Sequence, residues 1–324
     1  MLFGFVLQAS CADAEPGIKA YESTAFRLRT RGGSADEIVQ VCNRGLALNP
    51  KSKGLLWERA NAYLLLNERE KALIDLNNAI KFYPTNPGFY NMRATVLHMQ
   101  KQDDEALKDY SKTIDLQPWA SNYESRGEFY MDRKEYAKAL KDYNSAVDAL
   151  KKANISDRGL VEGAHACRAK LYEKLNRQDD AIADYTIAIY TDPIWKAGLE
   201  AKQISADQLA AMKKQSGMRG ELLRRAKAYE KKGDFKNALR DIDLYLRVKP
   251  SIVEARLERM HVLRSMGDYK KALEECTGLI KDDPGRPDLY YQRAKIFEKL
   301  GDSKSAKHDI ARAEEIEREM SASQ

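Results

Sequence analysis

Prolines recur in this chain at a fixed interval. Pro50, Pro84 and Pro118 stand 34 residues apart, and Pro250 and Pro284 repeat that interval later in the sequence. A fixed period of this length marks a repeat architecture, in which one supersecondary unit stacks on copies of itself. Twelve residues before Pro84, Pro118, Pro250 and Pro284 stands an alanine: Ala72, Ala106, Ala238 and Ala272. Ala139, Ala181 and Ala306 continue the series where the proline is missing or shifted, so the chain divides into eight units. At 324 residues an ordinary globular chain would make two or three domains, whereas a repeat chain of this length is expected to form one continuous array.

Within a unit the apolar residues fall at helical spacing. Leu56, Ala60, Tyr63 and Leu64 form one stripe, and Ala72, Leu73, Leu76, Ala79 and Ile80 form a second, with the polar turn Asn67 to Lys71 between them. Each unit therefore reads as two antiparallel helices. In the later units the turn carries Gly233, Gly267 and Gly301, suited to the left-handed conformation that ends a helix, and each is followed by an aspartate able to cap the next one.

These marks resemble the tetratricopeptide repeat family over nearly the whole chain. The resemblance is carried by a small residue eight positions into each unit (Ala60, Ala94, Gly127, Ala169, Ala226, Ala294) and an aromatic three residues later (Tyr63, Tyr130, Tyr172, Tyr229, Phe297). The alanine series and Pro84, Pro118, Pro193, Pro250 and Pro284 supply the remaining marks. Met260 departs from the small-residue position, and the first unit is degenerate. The resemblance implies an all-α, right-handed superhelical solenoid of helix-turn-helix repeats, with a concave groove lined by the first helix of every unit. Some family members clamp a chaperone's C-terminal carboxylate with Lys and Asn side chains. Trp57, Met92, Ser121 and Ser125 stand where that clamp needs other residues, which disfavours such a partner.

A second regularity belongs to the residues themselves. Every full unit has an arginine with an acid 16 positions on: Arg59 and Asp75, Arg93 and Asp109, Arg126 and Asp142, Arg168 and Asp184, Arg225 and Asp241, Arg259 and Glu275, Arg293 and Asp309. That spacing spans the two helices of a unit and predicts a structural ladder of interhelical ion pairs, oriented by the planar guanidinium. Such pairs set helix register more than they add net stability, because desolvation offsets much of the attraction.

The organisation expected is a possible signal or leader segment at 1–15, a degenerate N-terminal repeat or cap at 16–52, and repeats over 53–193 with an insertion near 148–161. A second insertion with a short helix follows at 194–218, then three repeats and a C-terminal capping helix over 219–324. In the first insertion a loop is expected around Asn154 to Gly159. In the second, Ser205-Ala206-Asp207-Gln208 reads as a capping box opening a helix through about Lys214, a segment that covers the groove, docks a partner or acts as a spacer that changes superhelical pitch. Residues Met1 to Ala14 resemble the end of a secretory signal peptide, although no Lys or Arg precedes the apolar run. Export to the cell envelope and a cytoplasmic location are both compatible with that pattern.

Catalytic and metal signatures are missing. His98, His165, His261 and His308 lie in separate units, the four cysteines form no CxxC pair, and no phosphate-binding glycine loop or hydrolase motif occurs, so no catalytic residue, metal or cofactor is expected. The 55 basic and 49 acidic residues are interleaved, which argues against a nucleic-acid binder. For partner binding, the first helices place Trp57, Asn61, Asn91, Thr95, His98, Glu124, Glu128, Lys170, Lys227, His261, Tyr291 and Lys295 on one stripe. It runs from apolar and amide residues through an acidic middle to a mixed basic end. Trp57 reads as an exposed anchor, or as packing against the next unit, and the asparagines as donors to a peptide backbone. The leading expectation is a non-catalytic scaffold that binds a protein or peptide in the groove. The alternatives are an exported or tethered repeat protein of envelope assembly, and a nucleic-acid binder using Lys170, Lys227 and Lys295.

Overall fold

The structure, a computed structural model, describes residues 11–201, 204–214 and 220–322. It contains eighteen α-helices and, among the described residues, no strand. Where the sequence reads as a single array, the structure falls into two compact units, Met1–Ala149 and Leu150–Gln324. The first holds α1 (Cys11–Thr30), α2 (Ala35–Leu48), α3 (Lys53–Leu65), α4 (Arg69–Phe82), α5 (Pro87–Met99), α6 (Asp103–Leu116), α7 (Ala120–Asp132) and most of α8 (Tyr136–Lys152). The second holds α9 (Arg158–Lys174), α10 (Gln178–Tyr190), α11 (Pro193–Glu200), α12 (Ala206–Lys214), α13 (Gly220–Lys231), α14 (Phe235–Val248), α15 (Val253–Ser265), α16 (Tyr269–Asp282), α17 (Pro287–Lys299) and α18 (Ser303–Ala322). In both, each helix pair packs on the next pair along the chain.

The marker prolines act by ending helices. Each of Pro50, Pro84, Pro118, Pro250 and Pro284 follows the C-cap residue of a second helix, and those C-caps are turned out of the α region, with ψ between 62° and 95°. A proline ring clashes with a preceding helical residue, so the repeat length is imposed locally. Pro193 behaves differently: it opens α11, an additional helix, with the Asp192 side chain accepting from the backbone N–H of Ile194 and Trp195.

The turn inside each pair follows one geometry. Gly233, Gly267 and Gly301 take φ of 80°, 87° and 81°, and Asn67, Lys101, Lys134 and Asn176 occupy the equivalent position at 57° to 64°. In all seven cases the next residue's N–H reaches back five residues to a helix carbonyl, as from Glu135 to Tyr130 at 2.8 Å and from Asp302 to Phe297 at 2.9 Å. The earlier turns therefore reach with side-chain residues a conformation that glycine takes without strain.

Close approach of the two helices depends on the small residues. Ala60, Ala94, Ala169 and Ala226 are wholly buried, as are Ala72, Ala106, Ala139, Ala181, Ala238 and Ala272 opposite them. At Gly127 a Cβ would lie 2.6 Å from the Tyr143 ring. Met260, the departure from the pattern, shares its buried cluster with Cys276, which stands where other units carry Leu76, Tyr110, Tyr143, Tyr185 or Ile242. Large and small residues have exchanged sides, conserving volume.

At the first insertion α8 runs to Lys152 and α9 begins at Arg158, so the loop is shorter than expected and Arg158 and Gly159 are already helical. At the second, Ser205 and Gln208 cap each other's backbone N–H at 2.9 and 3.1 Å and open α12. Residues 202–203 and 215–218 of this insertion lie outside the described residues. The described part of the segment belongs to the core: Trp195, Leu199 and Met212 are buried in one cluster with Ile189, Leu222, Ile242 and Leu244, and Arg240 donates to the Leu199 carbonyl. Of the leader reading, residues 1–10 lie outside the described residues, and α1 begins at Cys11.

Two substitutions check this account by thermal or urea unfolding. Gly127→Ala forces Tyr143 aside and should destabilise by about 1–3 kcal/mol. Lys134→Gly relieves a left-handed lysine at φ 59° and should stabilise by about 1 kcal/mol; a loss of stability would mean the turn is not under strain.

Candidate functional site

The ladder arginines organise the face on which the candidate site lies. Arg59, Arg93, Arg126, Arg168, Arg225 and Arg293 each donate through Nε and Nη2 to the two oxygens of the acid 16 residues on, at 2.6 to 2.8 Å. The acids Asp75, Asp109, Asp142, Asp184, Asp241 and Asp309 are buried. Asp184 also accepts from His165 at 2.7 Å; burial alone would raise its pKa, but the Arg168 and His165 donors outweigh it and hold the carboxyl below its ordinary value.

Arg259 departs from this pattern. It gives Nη1 to Glu275 at 2.9 Å and Nε to Asp243 at 2.7 Å, while Arg256 takes the other Glu275 oxygen at 2.8 Å. The longer glutamate reaches a second arginine, so the predicted Arg259–Glu275 pair forms through one bond, without the two-pronged geometry of the other units.

The sequence reading missed a second set of contacts. Arg59 and Arg93 pass Nη1 to Asn43 and Asn77, 16 residues back, at 2.7 Å, and Arg126 does the same to Ser111 at 3.1 Å. In the second unit Arg225 reaches Thr186 at 3.1 Å. Each of these arginines thus ties its own second helix and the preceding one to the first helix that bears it. A polar residue 15 or 16 positions upstream was the available signal. An aromatic ring four residues along, as at Tyr63, Tyr172, Tyr229 and Phe297, covers the guanidinium at 5.9 Å.

In the first unit the stripe is only partly available. Trp57 is half-buried, its ring 5.8 Å from Phe89 on α5 and against Gly88, where a Cβ would lie 3.1 Å from it; it packs against the next helix pair and is no free anchor. Its remaining edge lines a cleft of about 600 Å³ with Lys53, Tyr83, Asn86 and Gln117. Asn61 gives its amide to the Trp57 carbonyl at 2.8 Å, one turn back, so this donor is already engaged. Thr95 bonds the Asn91 carbonyl and the Tyr110 hydroxyl at 3.1 and 3.2 Å. His98 lies between Asp103 and Asp132, at 2.8 and 3.4 Å, edge-on to Phe129.

Asn91 and Glu124 stand apart from these. They occupy the same register position on α5 and α7, and Asn91 Oδ1 and Glu124 Oε1 are each enclosed with no hydrogen-bond partner. Burial, with repulsion from Glu128 one turn away, pushes the Glu124 carboxyl up from 4.5 to about 7.

The second unit presents a different surface. Glu173, Leu223, Arg224, Lys227, Glu230, Glu258 and His261, from α9, α13 and α15, line a cleft of about 500 Å³. Lys227 lies 3.4 Å from the buried Glu258 and 3.7 Å from Glu254, and burial beside Arg264 lowers the His261 pKa. Lys170 is half-buried, Lys295 is exposed, and Tyr291 donates to Glu317 at 3.1 Å. With Lys227 engaged by two carboxylates, the three lysines do not form a free basic track. Among the described residues no group of three or more His, Cys, Asp or Glu could hold a metal ion, and no helix is long and apolar enough to cross a membrane.

Stacked helix pairs, each held by an inward-facing arginine and carrying a varied polar stripe, define a helical-repeat protein. The family model described as tetratricopeptide repeat matches at residues 76–108 and again at 287–320, so the chain carries tetratricopeptide repeats in both of its compact units. It is 29% identical over 129 residues to human tetratricopeptide repeat protein 13, covering 38% of this chain and 15% of that protein. It is 25% identical over 166 residues to human RNA polymerase II-associated protein 3, covering 49% and 25%. The matches therefore span a quarter or less of these relatives' length. Among solved structures, a tetratricopeptide repeat protein of Parabacteroides merdae aligns with TM-score 0.51 at 19% identity, over 82% of this chain and 93% of that one. PilF of Pseudomonas aeruginosa aligns with TM-score 0.54 at 14% identity, over 75% and 97%. These likenesses establish the fold.

The raised Glu124 pKa has a measurable consequence. Between pH 4.5 and about 7 the folded chain keeps a proton that the unfolded chain has released, so this group's contribution to stability falls as pH rises through that window. Glu124→Gln should match the wild type near pH 4 and exceed it above pH 7 by about 1–2 kcal/mol, allowing for screening at this partly exposed site. Equal differences in unfolding midpoint at both pH values would exclude the carboxylate as the cause.

Proposed function

We propose that the chain is a non-catalytic scaffold that holds a protein or peptide partner against the stripe formed by its first helices. Proteins of this family generally serve as protein-interaction scaffolds. The observation that carries the reading here is the division of labour across each first helix. The side facing inward is closed by arginine, alanine and carboxylate contacts, while the stripe side keeps enclosed acceptors at Asn91 and Glu124 and a cleft of about 500 Å³ along α9, α13 and α15. Enclosed acceptors without donors carry a desolvation cost that donors on a partner would offset.

Photo-crosslinking tests the face directly. With p-benzoylphenylalanine at Thr95, on the stripe of α5, cells expressing the full chain should yield a discrete crosslinked protein. The same label at Lys112, exposed on α6, should not. Comparable crosslinking from both positions would remove the stripe from consideration. Asn61→Ala supplies an internal control, since its amide serves its own helix and its loss should leave partner recovery unchanged.

A further inference from the structure

Resting on that reading, we propose that the cleft beside Trp57 in the first unit takes a proline-rich partner segment in the extended polyproline II conformation. The cleft holds about 600 Å³, and two aromatic rings stand in its lining. Trp57 and Tyr83 both rest on the buried ring of Phe89, at 5.8 and 6.2 Å between ring centres, so their positions are fixed by packing before any partner arrives. Pro87 adds a third apolar ring, and Gly88 leaves bare backbone beside it.

The hydrogen-bonding capacity of this cleft is one-sided. Among the described residues, the Lys53 ammonium, the Trp57 indole N–H and the side-chain amides of Asn86 and Gln117 donate to no protein acceptor. The acceptors are few. Asn86 Oδ1 already takes the Gly88 N–H at 3.0 Å, the Gln117 backbone carbonyl takes Asn122 and the Trp119 N–H, and no carboxylate is among the lining residues. What remains is the Gln117 side-chain oxygen and two hydroxyls.

The complement of such a lining brings acceptors and apolar surface but few donors. An ordinary extended segment presents one N–H for every carbonyl, and those N–H groups would lose water against a wall poor in acceptors. Proline removes the N–H, keeps the carbonyl and supplies a ring to lie on Trp57 and Tyr83. A run of prolines also holds the extended conformation already, so little ordering is left for binding. An acidic segment would find Lys53 as the one cation of the lining, in an exposed position where an ion pair contributes little. A basic segment would meet no carboxylate there.

Fluorescein-labelled dodecaproline, titrated with the full chain and followed by fluorescence anisotropy, tests the proposal. Two other dodecapeptides serve for comparison, one alternating glutamate with alanine and one alternating glycine with serine. Dodecaproline should bind saturably and more tightly than either, and its affinity should hold as salt is raised. The Trp57→Phe, Gln117→Ala double variant keeps a ring on Phe89 but removes two donors, and should raise the Kd about tenfold. Unfolding midpoints confirm that the variant is folded, and Lys141→Ala, at an exposed position on α8, should leave the Kd unchanged. No saturable binding of dodecaproline, the same Kd on the double variant, or tighter binding of the glutamate peptide would overturn the proposal. The Thr95 crosslink then separates the two readings: if it persists, the scaffold reading stands without a proline-rich ligand, and if it is absent as well, both fail.

Discussion

A guanidinium clamped on a buried carboxylate sets the orientation of the first helix in six of the described helix pairs. Taking about 100° per residue, the positions two before, two after and five after the arginine lie at roughly 160°, 200° and 140° around the helix from it. Turning the arginine inward therefore turns these three positions outward together. Trp57, Asn61 and Leu64 stand in this relation to Arg59, and Asn91, Thr95 and His98 to Arg93. Two parallel hydrogen bonds fix the rotation of the helix in a way that a single apolar contact cannot. The buried acid makes the orientation obligatory, because rotating the arginine away would strand a carboxylate in the core. The stripe is thus a consequence of the ladder, and its composition differs from one helix pair to the next.

That difference is visible in the contrast between the two compact units. On α5 and α7 the outward positions hold amide and acid, and two acceptor oxygens are enclosed without donors. On α9, α13 and α15 basic and acidic residues share one cleft, and Lys227 is engaged by Glu254 and Glu258. A carboxyl whose pKa lies near 7 in the folded chain is a destabilising choice for a position that packing does not constrain. On the preceding helix the stripe positions hold Asn91 and Thr95, which carry no ionisable group. The energetic penalty at Glu124 sits on the stripe and not in the arginine–carboxylate contacts of the helix pairs.

Much of this arrangement could be read from residue spacing, because the determinants are local. A proline one residue past a C-cap, an alanine at each helix crossing and an acid 16 residues after an arginine are all fixed by the geometry of one helix pair. What spacing hid was the use already made of each stripe side chain. Asn61 has the composition of a peptide-binding amide, yet its donor is taken by the Trp57 carbonyl one turn back. Trp57 meets Phe89, a contact set by how two units stack. Asn91 and Glu124, 33 residues apart, gain their meaning only when α5 and α7 lie side by side. The insertion after Tyr190 was legible as a capping box at Ser205, but not as part of the core, since the short stretch around Trp195 lies outside the repeat register.

The pair formed by α15 and α16 shows which feature is constrained. It departs from the other pairs at Met260, Glu275 and Cys276 together. The departures compensate: the larger Met260 faces a site reduced to Cys276, and the longer Glu275 is shared by Arg259 and Arg256, while Arg259 recruits Asp243 from the preceding second helix. Gly278 belongs to the same adjustment, since a Cβ there would lie 2.6 Å from the Arg256 guanidinium. Different residues thus deliver the same result, an arginine anchored inward between two second helices. His261, two positions after Arg259, accordingly lines the cleft just as Lys227, two positions after Arg225, does on α13. Helix orientation is what the repeat preserves, and the outward surface follows from it.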